Sequence, residues 1–162
     1  MMNDTSGTPG VTIHVAGSCL FNPGGHSGWA AVIHHGDGIN AKAICRLSGG
    51  LSAAEGMTNI RAEMVAIVEA LNALHGDGLS VTIWSNSSHV PKVMNQGFKR
   101  GKNIDLWQAI DAQAARHRIE WNTAPAIGKD STTLEVKDMA RKEAVKIARR
   151  ERRIVDNVGS RK

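Results

Sequence analysis

Two groups of cations are the residues best placed to do chemistry, and what they offer is electrostatic. Lys99, Arg100 and Lys102 fall together in the segment 96–102. Lys137, Arg141, Lys142, Lys146, Arg149, Arg150, Arg152, Arg153, Arg161 and Lys162 crowd the end of the chain, with few acids among them. With a formal net charge of +5, such clusters suit a polyanionic partner, whose bound counterions they would release. A solvated loop and the solvated face of a terminal helix account for the same residues, so both readings stand. Cys19 and Cys45, the only cysteines, sit in no Cys-x-x-Cys or Cys/His spacing. They read as two buried thiols in a reducing, cytoplasmic setting without structural zinc. His34 and His35 are adjacent at a strand end and lack a third ligand in sequence, which predicts surface residues and no metal site.

The elements that must position these groups follow from periodicity and punctuation. Val11 to Val15 reads as a β-branched strand, and the turn-rich stretch centred on Asn22-Pro23-Gly24-Gly25 implies a hairpin return. Trp29 to His34 and Ala41 to Leu47, separated by Gly36-Asp37-Gly38, complete an antiparallel meander. From Thr58 the period becomes helical: Ile60, Met64, Ile67, Val68, Leu71 and Leu74 recur behind the cap candidate Asn59 and stop at Gly76. Leu79 to Trp84 is then an apolar-rich strand whose place after a helix predicts a parallel crossover. Helices are predicted over 87–97 and 104–117, a short strand over 118–121, and a long helix from Thr132 to about Arg153. Trp84, Trp107 and Trp121 lie on apolar faces and read as core.

At 162 residues the chain fits a single domain. The expected division is a loose polar arm over 1–10 without signal-peptide character, one domain over 11–153 and a basic tail over 154–162. The apolar runs are far too short to cross a bilayer, so no membrane contact is expected. The architecture is α/β, a mixed sheet flanked by helices.

Read in order, the motifs carry a resemblance. Ala16-Gly17-Ser18-Cys19-Leu20-Phe21-Asn22-Pro23-Gly24 resembles Asp-Gly-Ser-Cys-x-x-Asn-Pro-Gly of bacterial-type ribonuclease H. Thr58-Asn59-Ile60-Arg61-Ala62-Glu63 resembles that family's Thr-Asn-Asn-Arg-x-Glu, with Ile60 departing from the asparagine. Ser85-Asn86-Ser87-Ser88-His89-Val90 resembles Thr-Asp-Ser-x-Tyr-Val, and Asn103-Ile104-Asp105-Leu106-Trp107 resembles Asn-x-Asp-Leu-Trp. The resemblance covers about residues 11 to 148 and implies the ribonuclease H fold with a five-stranded mixed sheet.

It also implies cleavage of the RNA strand of an RNA/DNA hybrid by two divalent metals held on four carboxylates, a number set by the mutual repulsion of two hard cations about 4 Å apart. Carried over residue by residue, the first aspartate falls on Ala16, the glutamate on Glu63 and the second aspartate on Asn86. Setting Trp121 on the family's last-strand tryptophan and Met139-Ala140-Arg141 on its Leu-Ala-Arg puts the final aspartate on Lys137; a one-residue insertion moves it to Asp138. The gapless placement turns Val136, Met139, Ala140 and Ile147 inward together. The family's mobile histidine falls near Ile127. With at most two of four carboxylates, the magnesium site is expected to be lost, leaving no cofactor, and Glu63 is expected to pair with Lys137. Natural divergence and deliberate inactivation would both give this pattern.

Residues matching Asn22, Thr58, Asn59 and Asn103 contact the hybrid in the family, although turn and cap chemistry would use the same types. The expectation is therefore a protein that is not an enzyme and that binds RNA/DNA hybrid or double-stranded RNA through these residues with Lys99, Arg100 and Lys102. A protein-interaction or dimerisation module, with a homodimer or protein partner, is the alternative of a different class. A third is a weak ribonuclease using Glu63 and Asp138 with one metal.

Overall fold

A computed structural model describes residues 10–36, 42–125 and 130–159. The arm over 1–9, residues 37–41, the Ile127 position and residues 160–162 lie outside the described residues. The elements are β1 (Gly10–Cys19), β2 (Ser27–His35), β3 (Lys42–Leu51), α1 (Asn59–Asn72), β4 (Ser80–Ser85), α2 (His89–Gln96), α3 (Ile104–Ala114), β5 (Arg118–Thr123) and α4 (Ser131–Gly159). The sheet order is β3-β2-β1-β4-β5. The first three strands form the antiparallel meander, while β4 and β5 add in parallel beside β1.

Alternation along β1 divides the interior into two cores, since successive side chains leave opposite faces. Ile13 and Val15 join Ile33, Met64, Ile67, Leu71 and Trp107 in the larger core beneath α1 and α3. Ala16, from the other face, meets Ala30, Val32, Val136 and Ala140 in a smaller one beneath α4. Helix α4 can lie so close because Gly28 has no side chain: a Cβ there would run into the Ala140 carbonyl and the Ala144 amide.

The sequence reading needs correction at several elements. The strands of the meander run further than the β-branched cores suggested, because ladder pairing continues through Gly17-Ser18-Cys19 opposite Ser27-Gly28-Trp29. Helix α4 continues through Gly159, taking in most of the stretch read as a tail. The side chain that caps α1 belongs to Thr58, whose hydroxyl accepts from the Arg61 amide at 3.0 Å. Pro91 lies inside the first turn of α2, where its missing N–H would have no helical partner in any case. Trp107 and Trp121 are core, but Trp84 is half-buried, stacked on the His14 ring at 6.5 Å. Cys19 and Cys45 are free and half-buried.

Candidate active site and nucleic-acid groove

The carboxylate at the centre of the motifs is Glu63, in the second turn of α1. It reaches the end of β1 because Gly17 offers no obstacle: a Cβ at Gly17 would collide with the Glu63 amide and the Asn59 carbonyl. The parallel register sets Val15 beside Ser85, so the turn after β4 meets Glu63 directly. Glu63 Oε1 accepts from the Asn86 amide at 2.8 Å and the Ser87 amide at 3.3 Å. Asn86 Nδ2 donates to the Val15 carbonyl at 3.5 Å. Glu63 and Asn86 are thereby brought together beside the peptide that joins Val15 to Ala16, while the Ala16 side chain leaves the other face of the sheet toward α4.

Glu63 is only 2% exposed. Burial pushes its carboxyl up to about 7, against the opposing pull of the nearby Ser85 hydroxyl and of the Asn86 and Ser87 amides. Glu63 Oε2, Ser85 Oγ and Asn86 Oδ1 are buried without a hydrogen bond of good geometry. A carboxyl raised to about 7 can hold its own proton near neutrality, and the Ser85 hydroxyl brings a second hydrogen to this group of oxygens.

The fourth position of the resemblance falls elsewhere. Lys137 and Asp138 are both exposed on α4, and Asp138 pairs with Lys142 at 2.8 Å. The expected Glu63–Lys137 pair is absent, because Val136 and Ala140 are the residues that α4 turns toward Ala16, and one residue along a helix is a rotation of about 100°. Ala16 supplies no oxygen ligand, Asn86 is neutral and Lys137 faces solvent. The residues present therefore do not fit a pair of divalent cations.

A groove of about 520 Å³ runs beside this centre, lined by Pro23, Thr58, Ile60, His89, Lys102 and Asn103 among others. Its rim is built by side chains binding backbone. Asn59 Oδ1 accepts from the Cys19 amide at 2.5 Å, and Asn22 Oδ1 from the Asn59 amide at 3.1 Å. Both carbonyl groups are spent on the scaffold; the amide NH2 groups have no partner among the described residues and are free to donate outward.

Asn103 has φ 59° at the start of α3 and makes no side-chain cap bond. Its Oδ1 accepts instead from Arg61, which also grips Asp105 with two hydrogen bonds, tying α3 to α1. Lys99 and Lys102 are exposed. Arg100 departs from its assigned role: it makes a two-pronged pair with Asp111 and lies over the Trp107 ring at 4.7 Å from its centre. A guanidinium engaged in this way holds the loop on α3.

One cluster escaped the sequence reading. His14 is buried, with Asp130 at 3.8 Å, the His34 ring edge-on at 5.9 Å and the Trp84 ring stacked against it. The two-residue alternation that sets His14 and His34 on one sheet face was the signal available. Among the described residues no group of three His, Cys, Asp or Glu could hold a metal ion, and no helix is long and apolar enough to cross a membrane.

The RNase H family model matches residues 8–146. Ribonuclease H of Herminiimonas arsenicoxydans is 39% identical over 68% of this chain and 78% of its own length. Ribonuclease HI of Caulobacter vibrioides is 38% identical over 70% and 78%. The chain belongs to the ribonuclease H family. Among solved structures, the N-terminal RNase H domain of a Mycobacterium tuberculosis protein superimposes with a TM-score of 0.74 at 19% identity, covering 89% of this chain and 99% of that one. LC11-RNase H1, solved in complex with RNA/DNA hybrid, gives 0.67 at 19% identity over 83% and 99%.

These relatives correct the expectation that the chain is not an enzyme. Proteins named ribonuclease H, 35–39% identical over most of the chain, point to an enzyme. The expectation rests on the aligned positions Ala16, Glu63, Asn86 and Lys137 or Asp138 and on the Ile127 site; the identity shared with these relatives over most of the chain outweighs it.

Proposed function

We propose that this ribonuclease H family protein acts on RNA/DNA hybrid, seating the backbone of the hybrid along the groove beside Glu63. One observation carries the reading: Thr58, Lys102 and Asn103, which the family motifs assign to substrate or which can pair with phosphate, line a single groove. Asn22 and Asn59 are fixed at its edge with free amide donors. Neutral donors on rigid supports suit the sugars and phosphates of a duplex recognised by shape. A solved relative, LC11-RNase H1, is described in complex with RNA/DNA hybrid.

The test is a titration of labelled hybrid and of duplex DNA of the same sequence at several salt concentrations, with magnesium or manganese present and product followed in the same tubes. Hybrid should bind tighter than duplex DNA. Replacing Lys99 and Lys102 together by glutamine should lower the magnitude of the log–log salt slope for hybrid by about two, at roughly 0.9 for each phosphate no longer neutralised. Any product above the no-protein control should vanish in Glu63→Gln. Equal affinity for the two duplexes, or cleavage that persists in Glu63→Gln, would overturn the reading.

A further inference from the structure

Helix α4 presents a second charged surface that the groove does not use. Its inner face, Thr133, Val136, Ala140, Ala144 and Ile147, is buried against the sheet. A period of 3.6 residues then forces Arg141, Lys142, Lys146, Arg149, Arg150 and Arg153 outward, and these cations stand on the solvent side of the helix. They line one shallow groove of about 550 Å³ in which Asp138 is the only acid and Val145 the only apolar residue. Among the described residues the one ion pair on this stripe is that of Lys142 with Asp138, at 2.8 Å. None of the other five forms an ion pair among the described residues, although the charge of Arg150 is felt by the neighbouring Glu151.

From this we infer that the outer face of α4 is a docking surface for the phosphate backbone of duplex nucleic acid, separate from the substrate groove. The stripe shares no residue with that groove, and α4 covers the opposite face of the sheet from α1. From Arg141 to Arg153 the helix rises about 18 Å, a length of duplex that carries roughly ten phosphate charges. A row of cations along one helix matches such a target in length and in sign. A bilayer fits it less well, since a helix lying on lipid needs an apolar face beside its basic one: as far as Ile147 that face of α4 is taken up by the sheet, and the exposed Ile154, Val155 and Val158 lie past the end of the stripe. Docking here would hold the protein on nucleic acid of any sequence while the groove engages hybrid. The idea rests on the nucleic-acid reading above, yet it is tested on a duplex that is not the proposed substrate.

The experiment uses the full chain, a labelled duplex DNA of about 20 base pairs, and the variant carrying R141Q, K146Q, R149Q and R153Q. Wild type should bind the duplex with a steep salt dependence, and the variant's log–log slope should be smaller in magnitude by about three to four. The K99Q/K102Q variant should leave most of the duplex-DNA slope in place. Three results would overturn the inference: no duplex binding by wild type at low salt, an unchanged slope in the four-residue variant, or equally tight salt-sensitive binding to phosphatidylserine vesicles. Failure of the hybrid reading looks different: hybrid and duplex DNA bind alike, while the four-residue variant still loses its slope.

Discussion

Gly17→Ala should destabilise the protein by at least about 3 kcal/mol, the upper end of the usual range for overpacking. The three atoms that the added methyl would meet first are all backbone of α1, namely the Glu63 amide, the Asn59 carbonyl and the Ala62 carbonyl carbon. None of these can turn away as a flexible side chain could, so α1 must retreat from β1. That retreat would carry Glu63 off the Asn86 amide and open the Asn59–Cys19 bond. Urea unfolding measures the loss, and Gly101→Ala is the control, since a Cβ at Gly101 meets nothing within 4 Å. Equal midpoints for the two variants would show that the close approach of α1 to β1 is wrong.

The second large effect is a pH-dependent stabilisation by Glu63→Gln. The Glu63 carboxyl is raised from 4.5 to about 7, chiefly by burial, so folding favours its neutral form. The sign follows from linkage: its contribution is intact below the unfolded value near 4.5 and is lost as pH rises through about 7. Full ionisation above that point removes about 3 kcal/mol. Glutamine keeps an acceptor for the Asn86 amide, cannot ionise, and brings an amide that can donate toward Asn86 Oδ1 or Ser85 Oγ. At pH 9 the variant should melt roughly 5–10 °C above wild type, while at pH 5 the two should lie close together. A constant difference across that range would mean that Glu63 titrates as an ordinary exposed carboxyl. The same variant serves as the control for cleavage, because loss of product from a more stable protein cannot be blamed on unfolding.

Where local rules govern, the sequence was legible. The helical spacing from Ile60 to Leu74 located α1, and the inward set Val136, Ala140 and Ile147 located the buried face of α4. The motif order led to the sheet and to the meeting of Glu63 with Asn86. What failed depended on contacts between distant segments or on single-residue rotation. In sequence Arg100 groups with Lys99 and Lys102 as a phosphate contact, and its engagement with Asp111 and the Trp107 ring could not be read from the loop itself because both partners lie on α3. Lys137 read as the partner of Glu63, but the helix that brings Val136 inward necessarily sends its neighbour to solvent. Charge at α4 was visible throughout; that it forms one largely unpaired stripe required knowing which face the sheet covers. The catalytic status failed for another reason: it was drawn from the ligand types at a few aligned positions, whereas the relatives resemble this chain over most of its length.

The small core beneath α4 also sets how the molecule breathes. Ala16, Ala30 and Ala140 contribute little apolar area beside Val32 and Val136, whereas Met64, Ile67, Leu71 and Trp107 fill the layer on the other side. Separation of α4 from the sheet should therefore need less free energy than global unfolding. In native-state hydrogen exchange, the amides of Val136 to Ile147 should exchange through a partial opening that is only weakly sensitive to denaturant, while those of α1 and β1 wait for the whole domain to open. The helix that bears the basic stripe would then be the outer, separable layer of a protein whose Glu63 centre is held by the more durable one.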